Sequence, residues 1–395
     1  MNSKTLNEIA LELKNSQKKV QLIYAFNGTG KTRLSREFKD LLVTELNIQE
    51  ETNSRSSDLF RKNSIYYNAF TEDLFYWDND LNNNEDRKLQ IHRNAFTKWV
   101  LEEQGQGPII IENFQRLTNS HIEPQFSADS SEIHFFIRGD ESFTKIKISK
   151  GEESNLIWCI FYSFLCLIEE ELSSPEDQRS TSDFNNLEYV FIDDPVSSLD
   201  DNHLITLAID VARLIKSSSS RLKFIITTHN PLFFNVLSNE FNNKLAKNPN
   251  AEPIEWLFRP RDALRFRLNK RLDGFFDLTP LENKIPFSYH LQLLFEIREA
   301  IENDNIKKYH FNFMRNIMEK TATFLGHSDW NHLLPKTPEG NVDPFFNRIL
   351  NLYSHSAHAG DETMVIDTEQ KEKLQELVTF LSSKYGFKEQ GVLSE

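Results

Sequence analysis

The eight residues "AFNGTGKT", Ala25 to Thr32, join an apolar run to a run with helical spacing. Ahead of them "VQLIYAF" (20–26) predicts a buried strand, and behind them "KTRLSREFKDLLVTEL" (31–46) predicts a helix. Asn27, Gly28, Thr29 and Gly30 form a short Gly-containing loop whose backbone N–H groups can curl around phosphates at the positive end of that helix. Lys31 then falls against the β- and γ-phosphates and Thr32 becomes a Mg²⁺ ligand, with Arg33 completing the nucleotide-binding set. The first loop position is Ala25 instead of Gly, which its small side chain makes tolerable. The competing reading is a chance Gly-rich turn.

A second stretch supplies the carboxylates such a loop needs. "FIDDPVSSLDD" (191–201) sets Asp193 and Asp194 side by side at the tip of an apolar run, before a Pro stops the strand. Two like charges fit there beside a divalent cation and its waters: Asp193 to hold Mg²⁺ through water, Asp194 to orient or deprotonate the attacking water. Without a metal, one of the pair is expected to have a raised pKa. Two solvated acids in a turn are the alternative.

The rest of the chain frames these two stretches. Its 395 residues leave room for two domains, and 39% hydrophobic residues suit folded cores. Cys159 and Cys166 lie seven apart in one apolar helix and read as core, not as a disulfide. With no leader-like start and no long apolar window, the chain is expected to be soluble, cytoplasmic and free of membrane partners. A net charge of −14 argues against a broad grip on nucleic acid, leaving one confined basic patch, "FRPRDALRFRLNKR" (258–271).

Further strands are expected at "SIYYNAF" (64–70), "EIHFFIRG" (132–139), "TKIKIS" (144–149), 188–193 and "RLKFIITT" (221–228). "TEDLFYWDNDLNNNED" (71–86) reads as an aromatic loop with a helical start, and the polar insertion "SSPEDQRSTSDFNN" (173–186) as mobile. Helices are expected at 152–172 and 202–216, and helices alone from about 286 onward. These predict an α/β domain over 1–280 and an all-helical domain over 281–395.

Three short motifs narrow the class. "ISKGEES" (148–154), with Ser149, Gly151 and Glu152, resembles the ABC signature; "SSLDD" (197–201), with Asp200, resembles the D-loop; and His229 in "IITTHN" resembles the switch histidine. The resemblance implies an ABC-type P-loop NTPase head that closes head to tail with a second copy on two nucleotides and Mg²⁺. Two departures stand out. Asp194 replaces the usual Glu, which suits slow, closure-dependent hydrolysis, and no Gln marks the Q-loop, where "YNAF" (67–70) sits. Lys31 and Ser149 lie 118 residues apart, too close for the long coiled coils of DNA-repair ABC ATPases.

Function then falls to the helical domain. Arg315 and Glu319 stand at i and i+4, beside an apolar stripe of Met314, Ile317, Met318 and Phe324, and by spacing alone they read as a helix salt bridge. Arg348, Asn351, His355 and His358 share a polar face of a later helix, and His355 alone reads as structural. An Arg, a Glu and a His can nevertheless cleave RNA without metal. One group takes the 2′-OH proton, another protonates the leaving 5′-oxygen, and the cation stabilises the charge between them.

The whole chain is similar to the PrrC-type bacterial anticodon nucleases. "QLIYAFNGTGKTRLSREFK", "YYNAFTEDLFYWDNDL", "SKGEESN", "YVFIDDPVSSLDDNHL", "KFIITTH", "FSYHL", "EKTATFLG" and "SHS" carry the resemblance. It implies a latent antiphage toxin that cuts tRNA(Lys) on the 5′ side of the wobble nucleotide, leaving a 2′,3′-cyclic phosphate and a 5′-hydroxyl. It also implies a catalytic triad of Arg315, Glu319 and His355 and no metal in the nuclease step. The implied effectors are ATP or GTP and dTTP, and the implied assembly is a dimer or higher homo-oligomer. The implied partners are a silencing type I restriction–modification enzyme and a phage-encoded activator. The Arg-x6-His spacing of Arg348 and His355 is similar to that of HEPN ribonucleases, which leaves Arg348 either helping catalysis or only packing. Glu282, Asn283 and Lys284 fall where the family reads the anticodon, with a plain linker as the alternative. The rival functions are a regulatory or repair-like ATPase without nuclease activity and a broad-specificity RNase.

Overall fold

The computed structural model describes residues 3–47, 63–68, 75–78, 88–92, 97–118, 121–139, 144–182, 184–196, 201–248, 250, 252–271, 273–282, 287–337, 340–346, 348, 350 and 366–387. The chain divides into two compact units, Met1–Lys284 and Ile285–Glu395.

The first unit is built on a six-stranded sheet. In chain order its strands are β1 (Val20–Tyr24), β2 (Ser64–Asn68), β7 (Tyr189–Asp193), β8 (Lys223–Thr228), β11 (Ala263–Lys270) and β12 (Phe276–Pro280). In space they run β12-β11-β1-β8-β7-β2, all parallel except β12. β1 and β7 are buried at every position, as parallel strands covered on both faces must be. One face packs on α1 (Leu6–Asn15) and α2 (Lys31–Asn47) through Leu34, Phe38, Phe191, Ile225 and Phe266. The other carries α6 (Pro231–Glu240), which packs on β1 and β8 with Phe234 against Tyr24, and α5 (Asp201–Ser217) packs beside α6. Because the parallel strands end together, Tyr24, Asn68, Asp193 and Thr228 reach one edge, where ligands of such sheets bind.

A second, antiparallel sheet joins β3 (Phe75–Asp78), β4 (Lys88–Ile91), β6 (Glu132–Ile137) and β5 (Ile122–Phe126) in that spatial order. Beside it lie α3 (Gly107–Thr118) and the 24-residue α4 (Lys150–Ser173). A two-stranded ribbon of β9 (Leu245–Ala246) and β10 (Trp256–Phe258) completes the unit.

Four expectations are corrected here. The aromatic "loop" contains a strand, β3, because Phe75–Asp78 pair with Lys88–Ile91 across a long connection. "TKIKIS" is not a strand, although a backbone bond from Ile146 N–H to Phe135 O at 2.9 Å ties it to β6. The polar insertion is pinned: Arg179 donates to Asn185 Oδ1 at 2.6 Å and to Ser174 O at 3.1 Å, and Ser180 N–H donates to Glu171 at 2.8 Å. The basic patch is not one surface, because β11 alternates sides. Arg265 turns inward, 2% exposed, onto Ser238 Oγ (2.7 Å), Ser238 O (2.8 Å) and Asn242 Oδ1 (3.0 Å). Its guanidinium is bonded to neutral groups, and burial lowers its pKa to about 10.

The second unit contains α7 (Tyr289–Glu302), α8 (Lys308–Phe324) and α9 (Thr368–Tyr385), with an isolated bridge between Lys336 and Val342. Leu293, Leu294, Ile297, Phe311, Met314, Ile317, Met318, Leu377 and Leu381 form its core. Phe324 does not join that stripe; at the last turn of α8 it is 89% exposed. His310, at 3% exposure, accepts a hydrogen bond from Lys307 N–H on Nδ1 at 2.9 Å, which requires a neutral ring. Burial, with a contribution from Lys307, lowers its pKa from 6.5 to about 4. The unfolded imidazole therefore binds more protons between those values, so stability falls as pH drops from 6.5 towards 4. The urea midpoint of the full chain should fall across that window, and His310→Gln, which keeps an acceptor, should flatten the dependence.

Candidate functional site

The phosphate loop forms as its residues require. Gly28 (φ +78°) and Gly30 (φ +114°) occupy backbone regions that side chains disfavour, and the turn closes through Thr29 N–H to Phe26 O at 3.2 Å. Ala25 continues the β1 ladder, its N–H donating to Thr228 O at 2.9 Å, so the loop starts locked to the end of β8. Lys31, 7% exposed, folds back under the loop and donates to Ala25 O (3.2 Å), Phe26 O (3.4 Å) and Asn27 Oδ1 (3.2 Å).

The two carboxylates part company at the tip of β7. Asp193 stays in the strand: its Oδ2 accepts from Thr32 Oγ1 at 2.9 Å and from Tyr66 Oη at 3.1 Å, and its Oδ1 from Thr227 Oγ1 at 2.5 Å. Asp194 sits at φ +51°, a left-handed conformation that Asp tolerates, with its N–H bonded to Thr227 O at 2.9 Å. Its carboxylate meets Lys31 Nζ at 3.5 Å and His229 Nδ1 at 2.5 Å, and accepts from Thr228 Oγ1 and His229 N–H, each at 3.2 Å. Burial pushes the Asp194 pKa up, but the His229 hydrogen bond and the Lys31 charge outweigh it and leave the group below the ordinary carboxylate range. The expected raised pKa is therefore not found at Asp194, because the His229 hydrogen bonds and the Lys31 charge hold its carboxylate ionised.

Ser149 and Glu152 form the capping box of α4. Ser149 N–H donates to Glu152 Oε2 at 2.7 Å and Glu152 N–H to Ser149 Oγ at 3.2 Å, with Gly151 in the first turn. Asp200 lies outside the described residues, as do Asn351, His355 and His358. Glu282 is exposed just beyond β12, and Asn283 and Lys284 are outside the described residues.

In the second unit, Arg315 Nε donates to Glu319 Oε1 at 2.7 Å, and the guanidinium lies 5.6 Å from the Trp330 ring centroid. The pair is a helix salt bridge, as spacing implied, with Arg315 mostly covered and Glu319 46% exposed on its side chain. Arg348 is exposed. Spacing did not point to Trp330 beneath Arg315, nor to the parallel stack of His327 on His332 (5.4 Å between centroids, 6° between planes). It also did not point to Tyr66 on Asp193, a contact that joins segments 127 residues apart.

The glycine loop, the adjacent carboxylates at the strand tip and the parallel sheet edge together define a P-loop ATPase head. A family model described as an AAA domain matches residues 115–382, more than half of the chain. The anticodon nuclease of Escherichia coli is 44% identical over 412 residues, covering 98% of each chain. The chain therefore belongs to the anticodon nuclease family. Among solved structures it is similar to an SMC head bound to the C-terminal winged-helix domain of ScpA (14% identity, 68% of this chain and 91% of that one, TM-score 0.32). The SMC head domain from Thermotoga maritima matches over the same shares at TM-score 0.27. Superpositions this loose add nothing to the argument. Among the described residues, no helix is long and apolar enough to cross a membrane.

Proposed function

We propose that this chain is a latent tRNA endoribonuclease switched by nucleotide at its ATPase head. The observation that carries the reading is the 44% identity to an anticodon nuclease across 98% of both chains, which includes the helical unit. The expected substrate is tRNA(Lys), cut 5′ of the wobble nucleotide to a 2′,3′-cyclic phosphate and a 5′-hydroxyl.

In the head, Thr32 Oγ1 would ligate Mg²⁺ directly and the Asp193 carboxylate, 2.9 Å from it, would hold the ion through water, a set of hard oxygens that fits Mg²⁺. Mg²⁺ bound there would neutralise charge on the β- and γ-phosphates. The chain's own part is to move Lys31. Entering phosphates draw its ammonium from Asp194 and the loop carbonyls, which leaves the Asp194 carboxylate held by His229 and able to take a proton from water. A second copy's Ser149 end would close the site, as a homodimer of heads requires. ATP or GTP is the hydrolysed nucleotide and dTTP an effector in this proposal. A type I restriction–modification enzyme serves as silencer and a phage product as activator.

In the helical unit, Arg315 stabilises the charge that develops on the scissile phosphate, while Glu319 and His355 move the protons at the 2′-oxygen and 5′-oxygen. The architecture is HEPN-like in this proposal, with Arg348 as a further cation.

The test is to incubate the full chain with total tRNA, GTP and dTTP and map the 5′-hydroxyl ends. One site beside the tRNA(Lys) wobble base is expected. Many sites would mean a broad RNase, and none a regulatory ATPase.

A further inference from the structure

ABC heads place a Q-loop glutamine at the end of the strand beside the Mg²⁺ carboxylate, and this chain has no Gln there. The described structure puts a phenol on that carboxylate instead. β2 is the edge strand next to β7, in parallel register, with Tyr66 opposite Phe191 and Asn68 opposite Asp193. The Tyr66 and Phe191 rings are in contact at 6.1 Å, so Tyr66 shares the α2 face with Phe191. Strand alternation returns Asp193 to that same face two residues later. The length of the ring then carries the hydroxyl forward to Asp193 Oδ2 at 3.1 Å, onto the oxygen that Thr32 also bonds at 2.9 Å.

We infer that Tyr66 is a positioning residue for Mg²⁺ in the nucleotide complex, through its hydroxyl on Asp193. The inference rests on the reading of Thr32 and Asp193 as the Mg²⁺ pair. A carboxylate oxygen has two acceptor directions. Thr32 and Tyr66 fill both on Oδ2, while Thr227 at 2.5 Å holds Oδ1. Three hydroxyl donors thus fix the carboxylate, and a cation reaches it through water. Tyr66 is 41% exposed, so its ring is not a core element, and its hydroxyl is the part that touches the site. Outer-shell partners of this kind orient the metal's ligands, and their loss weakens metal binding by roughly 10–100-fold.

The test uses Tyr66→Phe, which keeps the ring on Phe191, and Asp193→Asn as reference. A fluorescent ATP analogue is bound to the full chain in EDTA and MgCl₂ is then titrated in. Tyr66→Phe should bind the analogue in EDTA as the wild type does, and should need roughly 10–100-fold more Mg²⁺ for the half-maximal response. A Mg²⁺ midpoint unchanged or lowered in Tyr66→Phe, with Asp193→Asn strongly impaired, overturns the role of Tyr66 alone. If Asp193→Asn is also unchanged, the Mg²⁺ pair itself is wrong and the inference falls with it.

Discussion

Arg315→Ala, Glu319→Gln and His355→Ala should each cut tRNA cleavage by roughly 10²–10⁴-fold, the range for losing a proton-transfer group or a charge-stabilising donor. Nucleotide binding should be untouched, because these residues lie outside the first unit. The competing explanation, that the pair only braces α8, makes a different forecast. Exposed i,i+4 ion pairs are worth about 0.3–0.5 kcal/mol, and the cation–π contact with Trp330 adds ~0.5–1 kcal/mol. Glu319→Gln keeps length and hydrogen-bonding capacity, so its melting temperature should move by a degree or two at most. A protein that melts like wild type and no longer cuts has lost chemistry. One that still cuts returns Arg315–Glu319 to the role spacing alone suggests.

Asp194→Asn should reduce nucleotide hydrolysis by roughly 10²–10⁴-fold, as expected for a lost general base. Its effect on stability should depend on ligand. Without nucleotide, Lys31 at 7% exposure loses its counterion at 3.5 Å and keeps, among the described residues, the carbonyl oxygens of Ala25 and Phe26 and Asn27 Oδ1. Breaking a buried pair from one side costs up to ~3–5 kcal/mol. Saturating nucleotide supplies phosphates to Lys31, so most of the lost stability should return, and affinity should be at least that of wild type. Thermal melts with and without ATP check this. A variant equally stable in both conditions would mean that Asp194 does not hold Lys31 in the empty site.

The head was legible from sequence because its chemistry is local. Asn27 to Thr32 must form one turn with glycines at 28 and 30, Ser149 and Glu152 cap a helix three residues apart, and Asp193 and Asp194 are adjacent. What escaped depends on pairing between distant segments. Tyr66 meets Asp193 across 127 residues through the β2–β7 register. β3 is a strand because of β4, and Arg265 points inward because of its place in β11 and the groups on Ser238 and Asn242. Residues 144–149 have strand composition but form no strand, so composition misled where pairing decided. In the helical unit the i,i+4 pair was readable, but its setting against Trp330 was not.

The central claim is that nucleotide at the head governs cutting by the helical unit. It is tested most directly by the single-turnover cleavage rate of a tRNA(Lys) anticodon stem-loop by the full chain, with and without ATP or GTP, beside Lys31→Ala. Cleavage that rises at least ~100-fold with nucleotide, and does not rise in Lys31→Ala, is the predicted result, a coupling of about 2.7 kcal/mol. Equal rates with and without nucleotide, or full activity in Lys31→Ala, would contradict it.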